Sequence, residues 1–144
     1  MQCSVAQALE VVGDPWTLLI IRNALIGYTR FDHFQTNLGI PRTTLTARLA
    51  ALVEHDLLER CCYQEHPPRY DYRLTEKGRG LHTVIIALMQ WGDRWSALPE
   101  PPATLHDAET GARLELALVD VPTGRTLDQI EVRPHLSDRH SLRR

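Results

Sequence analysis

The stretch Phe31–Leu58, FDHFQTNLGIPRTTLTARLAALVEHDLL, decides how this chain folds. Phe31, Phe34 and Leu38 recur at helical spacing and predict a short helix with one apolar face. Gly39 then permits a sharp turn, because it takes a positive φ without steric cost. Pro41 suits the first turn of a second helix, where its missing N–H needs no acceptor. In that second helix Leu45, Leu49, Leu52 and Val53 share one face, while Arg42, Thr43, Thr44 and Thr46 begin the other. Two helices at a steep angle around a Gly turn form a helix-turn-helix, and the second has the shape that enters a DNA major groove. A helical hairpin inside an ordinary core would carry the same pattern, so the flanking sequence has to separate the two readings.

Behind the stretch the period changes to two. Leu58–Tyr63 has β-suited residues near its end, Gln64–Arg69 contains two prolines, and Tyr70, Tyr72 and Leu74 alternate with Asp71 and Arg73. The pattern predicts a hairpin with strands at about 58–63 and 69–74. A hairpin directly behind a recognition helix is a wing. Arg60, Arg69 and Arg73 then reach phosphates, contacts that set register without reading sequence. On a hairpin elsewhere they would only solvate its surface; beside a helix-turn-helix the phosphate reading is favoured.

Ahead of the stretch, Ser4–Val12 reads as a short helix capped by Ser4, with Val5, Ala8, Leu9 and Val12 on its apolar face. Gly13 ends it. Asp14 and Pro15 restart a helix as cap and first-turn residue, running to about Leu25 and stopping at Gly27. This helix is apolar almost all round, which marks it as the central core helix; Arg22 and Asn23 are its only strongly polar interior residues. After the hairpin, Thr75 is placed to cap a long helix whose apolar sector holds Leu81, Val84, Ile85, Leu88, Met89, Trp91 and Trp95. That is more apolar surface than a small winged domain needs for its own core. It suggests either a second copy packed by two-fold symmetry or coverage by the C-terminal segment.

Leu98–Pro102 is a proline-rich break. Beyond it, Thr110-Gly111 and Thr123-Gly124 each precede a strand-like run, at 115–119 and 128–132, and predict a small appendage of two to three strands. The end, from about Leu136 and including Arg139, Arg143 and Arg144, is expected to be disordered.

Composition narrows the function classes. At 144 residues the chain has room for one domain with a proper core plus an appendage. A formal net charge of −2 argues against a broadly basic DNA-coating protein, though not against local cationic recognition. Three cysteines, Cys3, Cys61 and Cys62, make no disulfide framework and fit a reducing compartment. No apolar run is long enough to span a bilayer and no secretion signal is evident, so the expected location is cytoplasmic. Phosphate loops, Ser elbows and His-Glu-x-x-His helices are missing from the sequence, so no enzyme is expected.

Taken together, these blocks resemble an HxlR-type winged-helix transcription regulator, a relative of the MarR regulators. The resemblance is carried by Cys3-Ser4-Val5-Ala6, Gly13–Ile20, Arg30-Phe31, the Gly39-Ile40 turn, Leu45, Arg48, Leu49 and Leu52. It continues in Tyr63, Pro67–Tyr72, Leu74–Gly78 and Trp91-Gly92. It implies a homodimer bound to double-stranded DNA at an inverted-repeat operator, repressing or activating in response to a signal such as a small-molecule inducer. It also implies dimerisation through the first and last helices, here Val5, Leu9, Leu81, Val84, Ile85, Leu88, Trp91 and Trp95. Pro41 stands where the family often has a capping Ser, so Thr43 or Thr44 is expected to take over the phosphate contact. In several such regulators an N-terminal cysteine at the position of Cys3 responds to quinones, aldehydes or oxidants, which requires a lowered thiol pKa. Some longer members end in a ribbon with Cys-x-x-Cys-Gly-like turns. Residues 103–144 hold no cysteine, so no zinc site is expected. Folding there should rest on burying Leu114, Leu116, Leu118, Leu127, Ile130 and Val132, with the long helix as the expected surface.

The expected fold is therefore α+β: a mainly α winged helix-turn-helix with a two-stranded wing and a small C-terminal β-appendage. Residues 1–98 form the DNA-binding and dimerisation domain, 103–135 the metal-free appendage and 136–144 the tail. The DNA-binding candidates are Arg42, Thr43, Thr44, Thr46, Arg48, Arg60, Arg69 and Arg73, with Arg48 alternatively paired to Glu54 or Asp56. Cys61 and Cys62, adjacent on a strand, point to opposite faces and are not expected to converge on a metal. No cofactor is expected. The competing reading is a winged-helix protein–protein interaction module that does not bind DNA.

Overall fold

Helix Ser4–Val12 (α1) turns by 79° into Pro15–Leu25 (α2), and the second of these is the hub of the core. In the computed structural model, which describes residues 3–133, Ile20 and Ile21 of α2 are fully buried. Asp14 caps α2 by accepting the Trp16 amide at 2.9 Å, and Pro15 occupies the first turn. At α1 the expectation is corrected: Cys3 holds the N-cap in extended conformation and Ser4 is already helical, so its hydroxyl does not cap. α2 ends in a left-handed Gly27, φ 104°, whose amide bonds the Ala24 carbonyl while the Tyr28 amide bonds that of Asn23.

Phe31–Leu38 (α3) and Arg42–Glu54 (α4) form the helix-turn-helix. Gly39 sits at φ 63° and donates to the Gln35 carbonyl at 2.9 Å. Pro41 stands one position earlier than expected, at the N-cap: the Leu45 amide bonds its carbonyl at 2.9 Å, and helical geometry begins at Arg42. Phe34, Ile40, Leu45, Leu49 and Leu52 close around Ile20 and Ile21 as one core. α4 ends with Asp56 in left-handed conformation and the Leu57 amide bonded back to the Leu52 carbonyl at 2.9 Å, which turns the chain straight into a strand.

That strand, Leu58–Glu65 (β1), pairs antiparallel with Pro68–Leu74 (β2), so the hairpin is longer and its turn tighter than the sequence predicts. A bulge between Cys62 and Gln64 absorbs one residue. The long helix expected next is two helices, Glu76–Arg79 (α5) and His82–Trp95 (α6). Thr75 does cap, but it caps α5: its Oγ1 accepts the Gly78 amide at 3.0 Å and donates to the Asp56 carbonyl at 2.7 Å. Gly78 is pressed against the Leu57 carbonyl, where a Cβ would come within 2.1 Å. α5 is thus locked onto the α4–β1 corner, and beyond the break at Gly80-Leu81 the chain lays Leu81 and Ile85 against the core. No single helix among the described residues is long and apolar enough to cross a bilayer.

The wing is tied to the loop ahead of α3. The Tyr72 amide donates to the Thr29 carbonyl at 2.7 Å, and Arg30 forms an isolated antiparallel bridge with Asp71. Asp71 is only 9% exposed. Its Oδ1 accepts Arg30 Nε at 3.1 Å and Thr29 Oγ1 at 3.4 Å, and its Oδ2 accepts Arg73 Nη2 at 3.4 Å. These donors replace the water that burial takes from the carboxylate.

The chain divides between Ser96 and Ala97 into two compact units. The second repeats one device. The Gly111 amide bonds the Asp107 carbonyl at 2.8 Å and the Gly124 amide bonds that of Asp120 at 2.7 Å, with both glycines near φ 70°. Leu105-His106 (β3) pairs with Arg113-Leu114 (β4) across the first turn, and Val119 bridges Thr126 across the second. The Asp107 carboxyl is held below its usual range by the Glu109 and Thr110 amides that it accepts. The strand-like runs at 115–119 and 128–132 are corrected: beyond the Val119 bridge they form no ladder, and Leu127–Gln129 is a short 3-10 turn. Leu114, Leu116, Leu118, Leu127 and Val132 remain exposed, so local turn bonding rather than the expected leucine burial shapes this unit. The tail from Leu136, with Arg139, Arg143 and Arg144, lies outside the described residues.

Replacing Asp71 by Ala strands Arg30 and removes a side-chain anchor of the wing. Because both arginines are partly exposed, the expected loss is about 1–2 kcal/mol of stability. It is read as a lower urea midpoint with an unchanged slope, and an unmoved midpoint would show that the wing does not depend on this carboxylate.

Candidate nucleic-acid interface

α4 presents its polar candidates unevenly. Thr43 and Thr46 are exposed and Thr44 is half-buried. Thr46 Oγ1 donates back to the Arg42 carbonyl at 2.9 Å, a bond that β-hydroxyl residues make readily inside helices. The Arg42 guanidinium lies 5.1 Å from the centre of the Phe31 ring, drawn toward α3. Arg48 is placed differently from either expectation: it pairs with neither Glu54 nor Asp56 but lies 3.5 Å from the Asp14 carboxylate, linking α4 to the cap of α2. No side chain caps α4, so its first-turn amides keep their capacity for an outside acceptor.

The wing supplies the cations. Arg60 stacks 4.2 Å above Tyr70, and Arg30, absent from the sequence candidates, stacks 3.9 Å above Tyr63. Arg69 is exposed beside the hairpin turn, opposite Gln64, and makes no ion pair among the described residues. Arg73 is exposed but tethered to Asp71. Between α4 and the wing runs an open groove of about 390 Å³, lined by Thr46, Ala50, Val53, Glu54, Arg60 and Tyr72.

A polar chain centred on a buried asparagine ties α3 to α2. Asn23, 0% exposed, accepts Arg22 Nε and Nη2 at 3.1 and 2.8 Å and donates to Asn37 Oδ1 at 2.8 Å. Asn37 in turn donates to the Tyr28 hydroxyl at 3.3 Å. The chain thus pins α3 to α2 by directional bonds. Its one sequence signal is an amide inside an otherwise apolar helix.

Away from that face, Val5, Leu9, Val84, Leu88, Trp91 and Trp95 are exposed, both tryptophans at 67%, whereas Leu81 and Ile85 turn inward onto the core. Cys3 is an exposed free thiol at the start of α1; Cys61 is half-buried, and the exposed Cys62 donates to the Gln64 carbonyl. No group of three or more His, Cys, Asp or Glu converges as a metal site among the described residues.

Comparison with known proteins agrees with this geometry. The HxlR-like helix-turn-helix family model matches residues 11–99. The chain is 46% identical over 132 residues to the uncharacterized HTH-type transcriptional regulator Rv3095 of Mycobacterium tuberculosis, covering 91% of this chain and 84% of that one. Among solved structures it is similar to PA1607, a proposed transcription factor, at 35% identity and a TM-score of 0.80, over 93% of this chain and 96% of the other. It is also similar to the redox regulator HypR in its oxidized form, at 30% identity and a TM-score of 0.59, over 64% of this chain and 96% of HypR. With helix-turn-helix, wing and α6 all inside the matched segment, the chain belongs to the HxlR-like helix-turn-helix family of transcriptional regulators.

Proposed function

We propose that the chain is a homodimeric, sequence-specific DNA-binding regulator of an inverted-repeat operator. α4 enters the major groove and the β1–β2 wing rests on the flanking backbone. One observation carries this reading: the outward face of α4 is open, and the hairpin fixed to the same core lines a groove with it through the stacked Arg60 and carries the exposed Arg69, which makes no ion pair among the described residues. Residues 1–98 would hold both the DNA-binding and the dimerisation surfaces, with the exposed stripe of α1 and α6 joining two copies. Half-sites then lie about one helical turn, roughly 10 bp, apart. Cys3, exposed where α1 begins, is the site at which an electrophile or oxidant would act on that interface. The likeness to a redox regulator supports this reading.

Binding to a duplex pool at two salt concentrations tests the main claim. Affinity should fall steeply with salt through counterion release; a flat response would favour the protein-interaction reading. Arg69→Ala should weaken all sequences alike and reduce the salt slope by about two per dimer, whereas an altered sequence preference would contradict a phosphate role. Trp91→Asp should shift sedimentation to the monomer and cost at least about tenfold in operator affinity, since one half-site replaces two; an unchanged dimer would remove α6 from the interface. Cys3→Ser should leave basal DNA binding intact and abolish any response to diamide or a quinone, and a response that persists would place sensing elsewhere.

A further inference from the structure

The outward face of α4 is unusual in what it lacks. Thr43, Thr46, Ala47 and Ala50 follow one another at i, i+3, i+4 and i+7, all exposed, on the side opposite Leu45, Leu49 and Leu52. None carries a long polar side chain. The two arginines of the helix are engaged elsewhere, Arg42 over Phe31 and Arg48 with Asp14. Thr46 turns its hydroxyl inward to the Arg42 carbonyl at 2.9 Å, which leaves its γ-methyl as the outward group. Glu54, the next charge on that face, lies one turn beyond Ala50, roughly 6 Å along the helix at about 1.5 Å per residue, and marks the end of the methyl-bearing stretch.

A face of methyl groups cannot read the donor and acceptor pattern of base edges. It can read the single apolar group that the major groove offers, the C5-methyl of thymine. Short side chains also let the helix backbone approach the groove floor, where that methyl lies. Thr43, in the uncapped first turn, is placed for a backbone phosphate instead. We infer that this regulator selects its half-sites by packing the methyls of Thr46, Ala47 and Ala50 against adjacent thymines, rather than by arginine–guanine contacts. The inference rests on the DNA-binding reading above and names the base class that reading would require. Ala47 and Ala50 thereby become specificity-determining residues.

The test uses the full chain and unmodified protein. Duplexes are selected from a randomised pool, and each thymine of the selected half-site is then replaced by deoxyuridine, which removes the methyl and keeps the pairing. Affinity should fall about three- to fivefold at two or three neighbouring positions, the worth of one buried methyl each. Thr46→Ser keeps the hydroxyl but loses the methyl, and it should become indifferent to deoxyuridine at one of those positions. Unchanged affinity at every deoxyuridine would overturn the inference while leaving DNA binding standing. So would selected guanines whose discrimination is lost in Arg42→Lys. A pool from which no sequence is enriched would overturn the DNA-binding reading and this inference together.

Discussion

The carboxylate of Asp71 is the constraint through which the two halves of the nucleic-acid face become one body. It sits on β2, on the face opposite the core-packed Tyr72 and Leu74, accepts from Arg30 and Thr29 on one oxygen and from Arg73 on the other, and is nearly cut off from water. A β-hairpin joined to its domain only at its base would be free to swing. Here the Tyr72 amide and the Asp71 side chain fix it to the residues that open α3. The same ion pairs hold Arg30, ahead of α3, and Arg73, on the wing. Their charge is thus held in place, so less side-chain freedom would be lost in meeting a phosphate under the proposed role.

Two further directional devices make α3 and α4 a rigid reading unit. The Asn23–Asn37 bond sets α3 against α2 where apolar packing alone would tolerate rotation. The Thr75 hydroxyl and the Gly78 contact lock the start of α5 onto the corner where α4 becomes β1. Each lies away from the outward face of α4, so substitutions on that face leave the frame that presents it undisturbed.

Much of this frame is legible in the sequence because it rests on periodic burial and on residues with restricted backbones. The leucines of α4, the Asp14-Pro15 start of α2 and the Gly39 turn all announce themselves. What escapes the sequence rests on long-range polar pairing. Arg48 could satisfy several carboxylates by spacing alone; only the fold brings Asp14 within 3.5 Å. The break at Gly80-Leu81 is hidden because both short helices carry compatible helical residues, and the Leu57 carbonyl that pins Gly78 lies in another element. In the second unit, the strand-like runs behind the two Gly turns have no neighbour to complete a ladder beyond the Val119 bridge, and they stay irregular or close into a 3-10 turn.

Charge distribution reconciles a net negative chain with a duplex partner. Residues 1–96 hold ten basic and ten acidic side chains, so their attraction to DNA depends on arrangement rather than on sum. The arrangement is favourable where it counts: Arg60 and Arg69 lie on the wing free of ion pairs among the described residues, while Asp71 is buried and matched by Arg30 and Arg73. Residues 97–133 hold three basic and seven acidic side chains. Under the proposed DNA-binding role, selectivity falls to methyl-bearing residues on the helix and backbone attraction to arginines on the hairpin, and the near-neutral balance of the first unit would keep non-specific adhesion low enough for the first to matter.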